Sequence, residues 1–306
     1  MENHKKKLIT HNGSFHADDL FAAATLTLIM EIENMDYEIV RTRDMESIKN
    51  ADYVFDVGGI YDADTNRYDH HQRGGAGARL NGIPYSSFGL IWKHFGLKLC
   101  GGNMDAWQII DEGIASPIDA GDNGIDIGEL KFNDVKPYSG TRVFSIFEPT
   151  WKEDENDTDK IFQEQVKHIV KLLKREIKVA LDNVEGKKLI LDFYNKSTDK
   201  RIIVFEQSLP RYLYQQVLSC LPEPIYLICP SAHGPNYKIE AVSKNPETFE
   251  SRKLFPEHWR GFLNNDPKAS IVIGIEGVLF THQSGFYAVL DNKEHAIEFA
   301  EKALLN

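Results

Sequence analysis

Short apolar runs alternate with stretches of helical periodicity through the first half of the chain, and the pattern predicts elements in a regular order. Lys7-Leu-Ile-Thr10 reads as a strand, followed by an Ala- and Leu-rich helix over Leu20–Glu33 that Asp18 or Asp19 is placed to cap. Tyr37–Arg41 and Tyr53–Asp56 read as further buried strands, the second ending on Asp56 and the Gly58-Gly59 pair. Helical spacing returns over Ser86–Phe95 and Asp105–Ile118. Strands alternating with helices argue for an α/β domain: a mostly parallel sheet with helices on both faces. In open sheets of that kind ligands bind beyond the carboxyl ends of the strands, which is where Asp56 falls.

The pattern changes after about residue 145. Glu153-Asp-Glu-Asn-Asp157-Thr-Asp159 is an acidic loop that opens a long helix over Lys160–Asn183, with Val166, Ile169, Val170, Leu173, Ile177 and Ala180 along one side. Lys167, Lys171, Lys174 and Lys178 form a second stripe, read as a solvated face rather than a nucleic-acid track. At about 1.5 Å per residue this helix is long enough to bridge two lobes. Beyond it, Lys188–Phe193, Ile225–Cys229, Tyr237–Val242 and Ile271–Ile275 suggest a second, mixed sheet, closed by a helix over Glu294–Leu305. The expected division is a first domain over 1–150 and a smaller α/β domain with its linker helix over 151–306.

Composition agrees with two ordinary cores, since 306 residues exceed the size at which one core usually stops growing and 42% of them are apolar. No apolar run approaches the roughly 20 residues needed to span a bilayer, and the first residues lead into a strand without a signal-peptide apolar region. No membrane partner and a cytosolic location are expected. Cys100, Cys220 and Cys229 lack paired spacing and read as small apolar residues rather than disulfides or zinc ligands. With 35 basic and 46 acidic residues the net charge is −11, which argues against coating long duplexes but leaves a short or single strand entering end first. The sequence sets no oligomeric state and leaves a homo-oligomer open.

Part of that acidity is concentrated in clusters with chemistry. His11, His16, Asp18 and Asp19 share the loop after the first strand; Asp56 ends another strand; Asp69-His70-His71 follows, and then Asp119-Ala-Gly-Asp122-Asn-Gly124. Imidazole and carboxylate together suit Mn²⁺, Fe²⁺ or Zn²⁺, and two such ions roughly 3.5 to 4 Å apart can clamp the attacking and leaving oxygens of a phosphoryl group. A helix cap explains one carboxylate of the first cluster but neither histidine. A carboxylate beside imidazole, as in Asp69-His70-His71, can orient a metal-bound ring. In the last cluster Asp122-Asn-Gly has a strong turn reading, so Asp119 is the expected ligand. The glycine loop Gln72–Gly77, with Arg73, reads equally as a phosphate cradle or a mobile connection.

Taken in order, these motifs resemble the DHH phosphoesterase superfamily, which includes manganese-dependent pyrophosphatases and RecJ-type exonucleases. They are most similar to its Myg (melanocyte-proliferating-gene) family. That similarity rests on Thr10-His-Asn-Gly-Ser-Phe-His-Ala-Asp18, Phe55-Asp-Val-Gly-Gly59, Tyr68-Asp-His-His-Gln72 and Asp119–Gly124, and continues through Ser251–Gly261 and Phe280–Phe286. The resemblance implies a DHH-type metal domain followed by a substrate-binding domain. It implies two divalent ions, manganese first, with His11, His16 and Asp56 on one, Asp18, Asp56, His70 and Asp119 on the other, and Asp56 bridging. It implies further that Asp69 orients His70 and that His71 contacts the phosphoryl group. Arg252, Arg260, His282 and Ser284 would receive phosphate or a terminal nucleotide, and Trp259 would stack on a base or fill a core. The activity implied is hydrolysis of RNA or short oligonucleotides from the 3′ end. A small-molecule phosphatase and a noncatalytic metal- or RNA-binding module are the alternatives.

Overall fold

The computed structural model describes residues 5–306 except 130, 133–134, 136–137, 139, 155–156, 233 and 264. Residues 155 and 156 of the acidic run thus lie outside the described residues. The chain forms two compact units, Met1–Leu181 and Asp182–Asn306, so the division falls inside the long helix and not ahead of it.

In the first unit β1 (Lys6–Thr10), α1 (Ala17–Glu33), β2 (Tyr37–Arg41), α2 (Met45–Lys49) and β3 (Tyr53–Phe55) alternate as their apolar pattern requires. The short strands β4 (Tyr61–Asp62) and β5 (Arg67–Tyr68) complete a sheet of order β2-β1-β3-β5-β4, parallel throughout except between β4 and β5. From β1 the chain crosses to one side for β2 and to the other for β3. The carboxyl ends of β1 and β3 therefore flank the crevice where open α/β sheets bind ligands. Helix α1 is buried on every side from Ala17 to Met30, which its all-round apolar composition permits. It packs on α3 (Ser87–Leu99), with the Phe21 and Phe88 rings 5.1 Å apart.

The helix expected over Asp105–Ile118 is broken into α4 (Met104–Ile110), a π-helical turn over Asp111–Ala115, and α5 (Ser116–Asp122). The short helix α6 (Gly140–Ser145) packs Phe144 against Phe21. Helix α7 (Thr158–Lys196) then runs through both units. Val166, Ile169, Leu173, Ile177, Ala180, Val184 and Ile190 are buried at helical spacing, so Lys188–Phe193 continues the helix and is not a strand. Gly186 interrupts that pattern because a Cβ there would stand 2.3 Å from Leu213 Cδ2.

The second unit is a sheet of order β6-β7-β8-β10-β9, formed by β6 (Ile202–Val204), β7 (Tyr226–Pro230), β8 (Tyr237–Ala241), β9 (Val278–Thr281) and β10 (Tyr287–Leu290). It is mixed, parallel between β6 and β7 and antiparallel elsewhere. One face packs on Ile190 of α7 and on α8 (Arg211–Leu218). The other packs on α10 (Lys293–Leu305), Phe255, Trp259 and α9 (Pro267–Ile273). The expected strand over Ile271–Ile275 is mostly the end of α9. Asp266 caps that helix by accepting from the Lys268 N–H, Pro267 opens it, and Gly274 at φ 73° closes it, outweighing the β-branched run between.

Trp259 is 3% exposed, edge-on to Phe299 at 4.9 Å in this core. It has no open face for a base, which corrects the expectation of stacking. Trp259→Ala should cost about 3–5 kcal/mol of stability, read as a lowered denaturation midpoint. A variant as stable as the parent but poorer with an oligonucleotide would return Trp259 to the substrate.

Candidate metal centre

His11 follows β1 directly, and its ring is aimed inward by its own neighbours. Nδ1 lies 3.1 Å from the Asn12 carbonyl, while Nε2 stands 3.2 Å from Asp19 Oδ2 and 3.1 Å from Asp56 Oδ2. With the Nδ1 proton donated to the carbonyl, the Nε2 lone pair confronts two carboxylates, an arrangement that calls for a proton or a metal ion between them. Burial opposes a proton there, but Asp19 and Asp56 outweigh it and push His11 up to about 10. The loop is fastened from behind. Arg41 is buried between Phe162 and Phe15, donates to the Gly13 carbonyl at 2.5 Å and pairs with Asp159 at 2.7 Å, while Glu148 accepts from the Phe15 N–H.

Helix α1 begins at Ala17, three residues earlier than its apolar pattern suggests. Asp19, at the third helical position, accepts from the His16 N–H at 3.1 Å, so the capping interaction runs back from Asp19 to His16. This places Asp18 in the first turn, fully buried, with no hydrogen-bond partner for either carboxylate oxygen among the described residues. Burial, and then Asp56, Asp122 and Asp19, hold its carboxyl well above the usual range.

Asp56 leaves β3 at φ 55°, a left-handed conformation that costs a residue with a Cβ about 1–2 kcal/mol and that Asp tolerates better than most. The strain turns the carboxylate into the crevice. Oδ2 faces His11, while Oδ1 lies 3.2 Å from His70 Nε2 and accepts from Ser87 Oγ at 3.2 Å. Burial alone would raise this carboxyl, but the two imidazoles hold it below the usual range. His70 Nε2 also lies 3.3 Å from Asp122 Oδ2 and 4.0 Å from Asp18 Oδ2.

Two expectations change here. Asp69 Oδ1 accepts from the ring Nδ1 of His71 at 2.7 Å and from the backbone N–H groups of His70 and His71. The carboxylate thus orients the His71 ring, and it touches His70 only through the main chain. Asp119 does not face the cluster. Its Oδ1 accepts from Ser86 N–H, Ser86 Oγ and Gly89 N–H, and its Oδ2 from Arg79 Nε, so it caps the start of α3 from another helix. Asp122, one turn further along α5, takes the place expected of it.

Three groups of donor atoms lie within 4.8 Å of one another: His11, His16 and Asp56; Asp56, His70 and His71; and His16, Asp18 and Asp122. The Asp18 oxygens, which have no hydrogen bond among the described residues, and the Nε2 of His70, buried between Asp56 and Asp122, are ligand atoms that divalent cations would satisfy, so the residues fit metal. All residues of the three groups except the buried Asp18 line an open cleft of about 680 Å³ whose walls also include Arg43, Val57, Gly58, Gly59, Asp69 and Asn123. Ser87 and Arg43 are the members sequence reading passed over, and Asp19, read there as part of the first cluster, reaches the site through His11. Only Arg43, two residues beyond the end of β2, carried a signal, being at the same sheet edge as Asp56.

The expected substrate residues are divided. Arg73 is exposed in its glycine loop and is not among the residues lining the cleft. In the second unit Arg252 donates to the Ser219 and Pro224 carbonyls and so closes the end of α8; it is a structural cation. Arg260 donates to the Phe255 carbonyl and lies against Gly285, beside the loop in which His282 Nδ1 accepts from the Ser284 N–H. Arg260, His282 and Ser284 are thus gathered at one loop.

Asp122→Ala should lower bound manganese while leaving the fold intact. Asp119→Ala should cost about 3–5 kcal/mol, because it leaves Ser86, Gly89 and the Nε of Arg79 buried without the carboxylate they share, while Asp111 holds only Nη1 of that arginine. Metal content and denaturation of the two variants check this, and the opposite pattern would make Asp119 the ligand.

The chain matches the MYG1 exonuclease family model, described as an uncharacterised protein family (UPF0160), over residues 7–304. It is 32% identical to the MYG1 exonuclease of Homo sapiens, covering 96% of this chain and 85% of that one. It is 30% identical to a MYG1 protein of Schizosaccharomyces pombe, covering 99% and 98%. Among solved structures, RecJ with Mn²⁺ from Thermus thermophilus overlays with a TM-score of 0.27 and 10% identity, covering 98% of this chain and 52% of that chain, a similarity too weak to argue from. With a family model matched from residue 7 to 304 and relatives this similar over nearly its full length, the chain belongs to the MYG1 exonuclease family.

Proposed function

We propose that this protein is a metal-dependent phosphoesterase of the exonuclease kind, which removes nucleotides from the 3′ end of RNA or short oligonucleotides with two divalent ions, manganese first. The observation that carries the reading is Asp56, whose two oxygens face two different imidazoles, beside an Asp18 carboxylate with no hydrogen bond among the described residues. The human relative's name, an exonuclease, supports the nucleic-acid substrate. In this reading the first unit is a DHH-type catalytic domain and the second binds substrate through Arg260, His282 and Ser284. Cys100, Cys220 and Cys229 are free thiols, which supports a cytosolic setting. No helix among the described residues is long and apolar enough to cross a membrane.

His11, His16 and Asp56 would hold one ion, and Asp18, Asp56, His70 and Asp122 the other. Ions bound there would neutralise charge developing on the phosphoryl group and bring the pKa of water towards neutrality. Asp69 accepts the Nδ1 proton of His71, so that in the doubly protonated ring the Nε2–H would bond a phosphoryl oxygen or pass its proton to the leaving oxygen. His71 suits that role because its side chain is 62% exposed within the cleft, whereas His11 and His70 are buried against carboxylates.

Chelation should abolish hydrolysis and manganese should restore it, measured on a panel of RNA, single-stranded DNA, dinucleotides and pyrophosphate. Turnover of pyrophosphate alone would replace the exonuclease with a small-molecule phosphatase. Asp56→Asn keeps the size of the side chain but removes a charge shared by two sites, so turnover should fall at least about 10²-fold in a folded protein. Near-normal turnover in that variant would reduce Asp56 to a turn residue.

A further inference from the structure

Among the described residues lining the metal cleft, Arg43 is the one with a permanent positive charge. Asp56, Asp69 and Asp122 line the same cleft, so apart from His71 its side chains offer a phosphate little else to bind. Arg43 is exposed, yet its guanidinium is held on one side: Nη1 donates to both the carbonyl and the side-chain oxygen of Asn12, the latter at 3.0 Å. The same Asn12 carbonyl lies 3.1 Å from His11 Nδ1. The cation is therefore indexed to the loop that carries the metal donors. Its Nε and Nη2 have no partner among the described residues, which leaves a second, planar pair of donors open. The other nearby arginine, Arg41, is committed to Gly13, Asp159 and two aromatic rings.

A guanidinium fixed along one edge and free along the other presents parallel N–H groups to two oxygens of one phosphate, with little rotamer entropy left to lose. We infer that Arg43 binds the phosphoryl group of the substrate through this free edge and positions it against the His11–Asp56 donors. The inference rests on the phosphoesterase reading for its substrate, but its test does not need turnover.

Inorganic phosphate is the probe, titrated calorimetrically into manganese-loaded protein, with bound manganese measured for each variant. Arg43→Ala should bind phosphate at least about tenfold more weakly at unchanged manganese content, and Arg43→Lys, which keeps the charge without the fork, should recover only part of the loss. In turnover the same substitution should raise KM more than it lowers kcat. Unchanged phosphate affinity in Arg43→Ala, or no phosphate binding by the parent, would overturn the inference. So would a loss of manganese in step with phosphate, since Arg43 would then only prop the Asn12 turn. A parent that binds phosphate through Arg43 but cleaves no phosphoester would leave this contact standing and remove the hydrolase.

Discussion

Carboxylates buried together at one edge of a sheet repel one another and lose hydration, and the first unit is organised around relieving that cost. Asp18, Asp19 and Asp56 are all nearly inaccessible, and Asp122 stands beside them. Imidazoles meet the charge only in part. His11 answers Asp19 and Asp56, His70 answers Asp56 and Asp122, and Asp18 has only His70 at 4.0 Å and no hydrogen bond among the described residues. Such a cluster is destabilising as a structural device and well suited as a cation site, because divalent ions supply the missing charge.

The fold delivers these residues because three parallel strands end at the same edge. His11 follows β1, Asp56 follows β3 and Asp69 follows β5, so separation along the chain becomes proximity across the sheet. Contacts outside the cluster hold the loops in place. Asp119 ties α5 to the start of α3, which sets Asp122 on one helix and Ser87 on the other. Arg41 and Glu148 hold the Asn12–Phe15 loop through its backbone. A carboxylate that binds no ion can matter as much to this geometry as one that does.

The second unit shows how polar residues of a motif can be absorbed by the fold. Arg252 bonds two carbonyls that the end of α8 and the following turn leave open, and Trp259 fills the core beneath α10. Both belong to a motif that resembles a substrate-binding region, yet Trp259 is buried and Arg252, half-buried, gives both its Nη groups to the main chain. Arg260 is mostly committed to the Phe255 carbonyl, and a Cβ at Gly285 would collide with it, so the left-handed glycine there serves close approach as well as the turn.

Local pattern was enough to determine β1, β2, β3, α7 as far as Asn183 and α10, the alternation that makes the first sheet parallel, and the histidine and aspartate clusters at its strand ends. Those features depend on periodicity and residue type, which the chain carries locally. It misjudged Lys188–Phe193 and Ile271–Ile275, where a β-branched or apolar run looks the same in a strand and a buried helix until caps and packing partners decide. The choice of Asp122 over Asp119 is likewise tertiary: both precede the same turn, and what separates them is that Ser86, Gly89 and Arg79 converge on one and His70 on the other. Asp69 and His71, Arg43 and Asn12, and Arg252 and α8 follow the same rule. Residue type says what a side chain can bond, but the partner it does bond is fixed only when distant segments arrive at one place.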